Sequence, residues 1–270
     1  MDTLLRNADV AMYHAKESGR NSFQFFSDQM NQRTMEKLGI ETDLKKALER
    51  NDLLLYYHPQ IDLRTGKVAG VEALIRWQHP RLGMVSPAMF IPIAEEAGLI
   101  VDSGQWVLLE ACRQAMQWQQ AGFAPVRMGV NISSLQFKQQ SLASLVRQVL
   151  QKTGFDARYL DLELTETAIM QNVSLINDTL TELKEIGVNL SVDDFGTGYS
   201  SMSYLKRFPL DTLKIDRSFV MDITTDANDA AIIKAIIALE KSLGLKTIAE
   251  GVETGEQLAF LQEQRCDEIQ

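Results

Sequence analysis

Several strand-like segments of the sequence carry a polar residue between apolar neighbours. The residues of this kind, together with Asp193, which has an apolar neighbour only at Val192, are one amide, one ammonium and several carboxylates: Glu72, Asn131, Glu163, Asp193, Lys214 and Glu250. Because side chains alternate between the two faces of a strand, each of them points away from its apolar neighbours. We therefore expect them to line one surface, while the apolar residues pack under covering helices.

Acids gathered on one surface predict a site for a divalent cation. Burying charges of one sign costs on the order of several kcal/mol unless a cation lies among them. Ligand sets made only of oxygen favour Mg²⁺ or Mn²⁺ over zinc. The adjacent Asp193 and Asp194 suggest two ions with a bridging carboxylate, which would stabilise both oxygens of a phosphoryl displacement. A single buried carboxylate is explained equally well by a salt bridge, so the prediction depends on convergence.

Two further features fit such a site without requiring it. The segment from Asp193 to Ser201 contains two glycines and small hydroxyl residues, which allow the backbone to approach a ligand or form a mobile turn. An ordinary strand-to-helix loop has the same composition. Lys214 is either a structural ion-pair partner or a group that orients an attacking water and stabilises charge on a phosphate.

The elements that must position these residues alternate between strand and helix. Hydrophobic periodicity predicts an amphipathic helix over 28–51, strands over 53–63, 67–77, 127–133, 160–166, 189–195, 212–216 and 246–252, and helices over 104–121, 138–153, 171–187, 228–243 and 255–264. This alternation indicates a parallel α/β sheet. Seven strands and a C-terminal stub favour a closed (βα)₈ TIM-like barrel, whose active sites lie at the carboxyl ends of the strands. An open doubly wound sheet is the alternative, but the sequence has no GxGxxG turn.

The composition excludes several other classes of protein. The chain has 270 residues, of which 45% are hydrophobic and 23% charged, and a net charge of -9, so a folded core is expected and a basic nucleic-acid surface is not. No DNA partner is therefore expected. Its two cysteines, Cys112 and Cys266, have no zinc-ligand spacing, and they fit a reducing compartment. With no signal peptide and no membrane segment in the sequence, we expect a cytoplasmic location, although a longer protein could be tethered.

The same residues lie in motifs that resemble the EAL family of cyclic di-GMP phosphodiesterases. The resemblance covers residues 31–270 and follows seven motifs in order: Glu72-Ala73-Leu74-Ile75-Arg76, Asn131-Ile132-Ser133, Glu163-Leu164-Thr165-Glu166, the segment from Asp193 to Ser201, Leu213-Lys214-Ile215-Asp216, Glu250-Gly251-Val252-Glu253 and Asp267-Glu268-Ile269-Gln270. It implies a barrel with one antiparallel strand that hydrolyses cyclic di-GMP to linear pGpG using Mg²⁺ or Mn²⁺, and a homodimer.

The resemblance also implies a role for each site residue. One metal would be held by Glu72, Asn131, Glu163 and Asp193, and a second by Asp193, Asp194 and Glu250. Lys214, with Glu72 and Glu250, would form the catalytic group, with Lys214 positioning the nucleophilic water. Arg76 and Gln270 would lie against the substrate. Glu166 would support the loop that begins at Asp194, and Glu253 would support the edge of the site.

The N-terminal residues resemble the end of a different domain. The run from Asn7 to Phe23 is similar to the last helix and strand of a GGDEF (diguanylate cyclase-like) domain, without its signature loop. We therefore predict a GGDEF remnant over 1–27, a junction helix over 28–51 and the phosphodiesterase barrel over 52–270. The chain departs from the family at His58, where glutamine is usual, and its eighth strand is cut short at Gln270.

Two alternatives to a cyclic di-GMP phosphodiesterase stay open at this point. A receptor that binds cyclic di-GMP without cleaving it would typically have lost some of the acids, which are all present here. An unrelated barrel enzyme acting on another phosphorylated substrate with a divalent metal would leave the motif order unexplained.

Overall fold

The computed structural model describes residues 4–5, 7–8, 10–12, 23–138, 142–170, 173–196 and 205–270. The chain forms two compact units, one of Met1–Leu53 with Trp77–Leu99 and the other of Leu54–Arg76 with Ile100–Gln270. Most of the predicted GGDEF remnant, including its turn at Gly19-Arg20-Asn21, lies outside the described residues. None of the helices in the described ranges is long and apolar enough to cross a membrane.

Nine strands and ten helices are used below. The strands are β1 (Leu53–Asp62), β2 (Val68–His79), β3 (Gly83–Val85), β4 (Arg127–Asn131), β5 (Leu160–Thr165), β6 (Asn189–Phe195), β7 (Thr212–Ile215), β8 (Lys246–Ala249) and β9 (Glu268–Ile269). The helices are α1 (Asp28–Arg50), α2 (Pro87–Glu96), α3 (Ile100–Gln120), α4 (Ser134–Lys138), α5 (Leu142–Thr153), α6 (Glu166–Met170), α7 (Val173–Ile186), α8 (Arg217–Met221), α9 (Ala227–Leu243) and α10 (Gly255–Glu263).

The second unit is an α/β barrel closed by eight strands. Around the ring the order is β1, β9, β8, β7, β6, β5, β4 and β2, and β1 pairs back onto β2. From β2 through β4 to β9 neighbouring strands are parallel, whereas β1 pairs with β9 in the antiparallel direction. The predicted C-terminal stub is therefore β9, which pairs with both of its neighbours although it has two residues. The closed barrel is confirmed and the open sheet is excluded.

The strand register brings the polar residues of the sequence together. Glu72 lies opposite Gly129, Asn131 opposite Glu163, and Thr165 opposite Asp193. The apolar residues between them are fully buried, among them Val130, Leu162, Leu164, Val192 and Leu213. They pack with the apolar faces of the helices in one core, so the alternation read from the sequence separates this core from a polar barrel interior.

The first unit contains two elements that the sequence analysis left unassigned, β3 and α2. Trp77 is fully buried against Phe90 of α2 and pairs with Val85 of β3. Helix α2 begins with Pro87 and carries Pro92 inside it. Proline is tolerated in a first turn but removes a hydrogen bond within a helix, which explains why periodicity and composition did not predict α2.

Candidate active site

The site lies at the carboxyl ends of the parallel strands. Glu72, Glu163, Asp193 and Lys214 lie on β2, β5, β6 and β7, and Glu250 follows directly after β8. Parallel strands of a closed barrel end at one rim, so residues far apart in sequence converge there. The predicted meeting of these side chains is what the structure shows.

Lys214 occupies the centre of an acid cluster, by which we mean Glu72, Glu163, Asp193 and Glu250 around it. Its ammonium is fully buried and donates to Glu163 Oε2 at 2.7 Å. The same nitrogen lies 2.6 Å from Glu250 Oε1, 3.4 Å from Asp193 Oδ1 and 3.5 Å from Glu72 Oε2. Four carboxylates therefore share one positive charge.

The two oxygens of Glu72 accept hydrogen bonds from two amides. Asn131 Nδ2 donates to Oε1 at 2.6 Å, and Gln270 Nε2 donates to Oε2. Burial opposes ionisation of the carboxyl, but the Lys214 ammonium and these two donors outweigh burial and lower the pKa of Glu72 below its ordinary value. Glu72 is thus held as a carboxylate at neutral pH.

The pKa shifts of the other groups in the acid cluster show that one ammonium does not balance its negative charge. Burial, followed by repulsion from neighbouring acids, raises the pKa of Glu163 well above its ordinary value despite the attraction of Lys214. Burial also raises the pKa of Glu250 to about 7, with Lys214 opposing the shift and Asp193 adding to it. Burial alone would lower the pKa of Lys214, but the surrounding carboxylates raise it, so the lysine is charged while the cluster keeps excess negative charge.

The donor set fits a metal cation that prefers oxygen ligands. Glu72, Glu163 and Asp193 each offer a carboxylate oxygen, and these atoms lie within 4.8 Å of one another. Glu163 Oε1 is buried and has no hydrogen-bond partner among the described residues. It projects over Gly129, where a Cβ atom would lie only 2.2 Å from it. A buried carboxylate oxygen without a donor is costly, and a hard cation would satisfy it.

Asp194 and Glu166 border the cluster where β6 ends. Asp194 has a φ of 55°, in the left-handed region, and burial together with the neighbouring Asp193 raises its pKa. Glu166 is buried, and its Oε2 accepts from the Gly196 backbone N–H at 2.9 Å. Gly196 is the last described residue before the loop, and the loop-supporting role of Glu166 stays a prediction. The predicted mobile turn over residues 197–201 lies outside the described part of the chain.

The remaining predicted residues lie at the rim of the site or away from it. Arg76 follows the cluster along β2, where its guanidinium lies 5.4 Å from the centre of the Tyr56 ring and donates to the Ile75 carbonyl. Gln270 contacts Glu72 directly. Glu253 is exposed, and its backbone N–H donates to Gln257 Oε1 in the capping box of α10. Its supporting role stays a prediction.

Sequence reasoning missed a second polar network deeper in the barrel, which we call the floor network: Gln60, Arg127, Asp161, Ser191 and Glu268. Arg127 pairs with Glu268 and lies 3.3 Å from Asp161, whose carboxylate accepts from the Ser191 hydroxyl at 2.7 Å. Asp161 and Ser191 each precede a site residue by two positions, Glu163 and Asp193. Because residues two positions apart on a strand share a face, this spacing could have predicted that Asp161 and Ser191 also point into the barrel.

Comparison with known proteins gives a consistent result. The EAL domain family matches residues 41–270. The chain is 47% identical over 267 residues to the bifunctional diguanylate cyclase/cyclic di-GMP phosphodiesterase MucR of Pseudomonas aeruginosa, covering 99% of this chain and 39% of that protein. It is 43% identical over 267 residues to the cyclic di-GMP phosphodiesterase PdeR of Escherichia coli, covering 99% and 40%. The chain thus spans well under half the length of these relatives.

A solved structure shares the fold closely. The PaMucR phosphodiesterase in complex with c-di-GMP superposes with a TM-score of 0.83 at 46% sequence identity, over 86% of this chain and 94% of that one. At this level of identity the shared fold indicates a common origin of the two domains.

Proposed function

This chain belongs to the EAL domain family, and from that premise we propose that its barrel hydrolyses one phosphodiester of cyclic di-GMP to give linear pGpG. The observation that carries the proposal is the complete acid cluster, in which four carboxylates surround Lys214. The names of its relatives supply the substrate. A cluster with this charge repels a phosphodiester, so binding that substrate requires cations between the two.

We assign the residues that hold those cations, Mg²⁺ or Mn²⁺, from the donor set. Glu72, Asn131, Glu163 and Asp193 would hold a first ion, and the spacing of the carboxylate oxygens of Glu72, Glu163 and Asp193 supports this assignment. Asp193, Asp194 and Glu250 would hold a second ion; the first two lie near the carboxyl end of β6, and Glu250 directly follows β8. When bound, two ions would activate a water and stabilise the attacking and leaving oxygens of the phosphoryl group.

Side chains of the protein orient the attacking water and bind the substrate. Lys214 stays protonated among its carboxylates and donates hydrogen bonds that orient the attacking water. Glu72 and Glu250 lie 3.5 and 2.6 Å from the Lys214 ammonium and fix its position. Arg76, held against Tyr56 at the rim, binds a phosphate of the substrate as a cation with several donors. Gln270 presents its amide beside the same site.

The direct test is incubation of the purified protein with cyclic di-GMP and Mg²⁺ or Mn²⁺, with pGpG followed by chromatography. We expect product that disappears when a chelator is added and returns with excess metal. A Glu163→Gln variant should form none, whereas Glu256→Gln, a matched change at an exposed position of α10, should behave as wild type. Tight binding of cyclic di-GMP without product would show a receptor. A protein that neither binds nor cleaves cyclic di-GMP would refute the assignment.

We also propose the context in which the barrel operates. Residues 1–27 are the end of a GGDEF domain, 28–51 form the junction and 52–270 the phosphodiesterase, within a longer cytoplasmic or tethered protein. The coverage of about two fifths of MucR and PdeR supports this arrangement.

The same proposal includes the oligomeric state: the barrel acts as a homodimer. Light scattering of the purified chain would test this, and a monomer at assay concentration would contradict it.

A further inference from the structure

A continuous chain of hydrogen bonds connects the floor network to the candidate active site. Arg127 Nη2 donates to Gln60 Oε1 at 2.9 Å, and Gln60 Nε2 donates to Gln270 Oε1 at 2.9 Å. Gln270 Nε2 contacts two further groups, Glu72 Oε2 and, at 3.0 Å, His58 Nδ1. Two glutamine amides thus lie in series between a guanidinium and a carboxylate.

The chemistry at the two ends fixes the direction of both amides. A guanidinium can only donate, so Gln60 must turn its oxygen toward Arg127 and its nitrogen toward Gln270. Gln270 then accepts with its oxygen and donates with its nitrogen. The Gln270 nitrogen lies against Glu72 Oε2, and a carboxylate oxygen accepts a hydrogen bond from an amide. The orientation required by Arg127 at one end is therefore the one required by Glu72 at the other.

This orientation also determines which nitrogen of His58 carries a proton. The second hydrogen of the Gln270 amide points at His58 Nδ1, which must accept it. The proton of the neutral imidazole is consequently on Nε2. His58 is exposed, so this N–H is available to an acceptor oxygen at the mouth of the barrel.

Packing holds Gln60 in place. The residue has no exposed surface, and its Oε1 lies against Gly70, where a Cβ atom would come within 2.7 Å. The amide therefore cannot rotate into solvent to exchange its donor and acceptor ends. The direction set by Arg127 is transmitted to Gln270 by a side chain with no alternative environment.

We propose that Gln60 is a positioning residue for the reaction: it orients the Gln270 amide toward Glu72 and thereby fixes His58 as a donor, through Nε2–H, to an oxygen of the bound dinucleotide. The proposal rests on the proposed function for its substrate, but the orienting role is a property of the protein alone. A glutamine at position 58, which is usual in the family, would also accept from Gln270 and donate to the substrate. His58 therefore retains the hydrogen-bonding capacity of that glutamine.

The test measures the tautomer of His58 directly. The chain has three histidines, so the ring ¹⁵N signals of His58 can be assigned by their loss in His58→Gln. In the spectrum of the neutral ring, wild type should show the Nε2–H form. In Gln60→Glu two carboxylates compete for the Gln270 nitrogen, and we expect His58 to become a mixture of tautomers and kcat/KM to fall about tenfold.

Two further variants separate orientation from stability. Gln60→Met removes the donor to Gln270 but introduces no competing acceptor, so the Gln270 amide loses one of its two orienting partners and the change of tautomer should be smaller than in Gln60→Glu. Gln257→Glu replaces another buried glutamine, one that donates to the Val220 and Met221 carbonyls, and should lower the Tm without changing His58.

Three results would overturn the proposal. A wild-type protein with the proton on Nδ1 would do so without any variant. An unchanged tautomer in folded Gln60→Glu would show that Gln60 does not orient Gln270, and a changed tautomer with unaltered kcat/KM would remove it from the reaction. If the tautomer changes as expected but wild type does not hydrolyse cyclic di-GMP, the orienting role stands and the proposed function fails.

Discussion

Two buried ionic networks lie inside the same barrel, and they balance their charges differently. In the floor network the carboxylates of Asp161 and Glu268 face Arg127, and Lys246 Nζ lies 3.8 Å from Glu268. In the acid cluster four carboxylates face Lys214. Buried charges with matched partners serve structure, whereas an excess of one sign needs a ligand of the other. The comparison indicates that the acid cluster binds cations, whereas the floor network stabilises the barrel.

Glu240 of α9 shows a third way to bury a carboxyl group. It is fully buried beside the Thr247 hydroxyl. Burial raises its pKa to about 9, the Thr247 hydrogen bond opposes the shift, and the Asp267 charge adds to it. A single buried carboxyl group that forms no salt bridge with a described residue thus takes up a proton at neutral pH. The acid cluster cannot do this completely, because Lys214 favours ionisation of its neighbours.

The largest expected effect follows from removing a ligand of the acid cluster. Glu72→Ala or Asp193→Ala should reduce hydrolysis of cyclic di-GMP by more than about a hundredfold, since outer-shell changes around metals already cost about 10–100-fold. Turnover measured by pGpG release, on protein of verified fold, checks this. Near-wild-type hydrolysis by either variant, free of contaminating enzyme, would refute the metal assignment.

Replacing Lys214 should separate binding from chemistry. Lys214→Ala should still bind cyclic di-GMP in the presence of metal, because the carboxylates remain, while kcat falls about a hundredfold through loss of the group that orients the water. Calorimetric titration and single-turnover kinetics measure the two effects. Unchanged turnover would remove the lysine from the mechanism.

The two networks should respond differently to loss of their central cation. Arg127→Met leaves the Asp161 and Glu268 carboxylates buried without the guanidinium that pairs with them. This should lower the free energy of unfolding by about 3–5 kcal/mol. Mg²⁺ should not restore this loss. In Lys214→Ala, by contrast, saturating Mg²⁺ should raise the Tm more than in wild type, because the ion replaces the missing charge. Thermal unfolding with and without Mg²⁺ measures both; equal responses would contradict the distinction between the networks.

The smallest effect concerns pH and Glu240. Its pKa is raised to about 9 in the folded protein, so its stabilising contribution is fully present below the ordinary carboxyl pKa and is lost as the pH rises toward 9. Glu240→Gln removes this titration and should flatten the dependence of Tm on pH between about pH 5 and 9. Glu263→Gln, at an exposed position, should retain the wild-type slope. The same slope in both variants would show that Glu240 is ionised in the folded state.

Strand alternation explains why much of the barrel and the site could be predicted. Glu72, Glu163 and Lys214 each lie between buried apolar residues, Asp193 follows the buried Val192, and the structure brings all four to one rim. Period-two patterning reports the face of a residue directly. The predicted strands and the long helices are present, with ends that differ by a few residues, because hydrogen bonding at the termini is not encoded in hydrophobicity.

Other features depend on contacts that no local pattern reports. Gln60 gains its role from Arg127 and Gln270, which lie 67 and 210 positions away in the chain. The short helices α4, α6 and α8 have too few turns for periodicity to reveal them. The two-residue β9 was expected only as a stub, since pairing on both sides, rather than its own sequence, makes it a strand.

The central claim is that the acid cluster is a cation site, and anomalous diffraction from crystals soaked in Mn²⁺ tests it most directly. We predict an anomalous peak within coordination distance of Glu72, Glu163 and Asp193, whose oxygens already lie within 4.8 Å of one another, and its loss in Glu163→Gln crystals. A cluster without such a peak, with Lys214 still bridging the four carboxylates, would contradict the account.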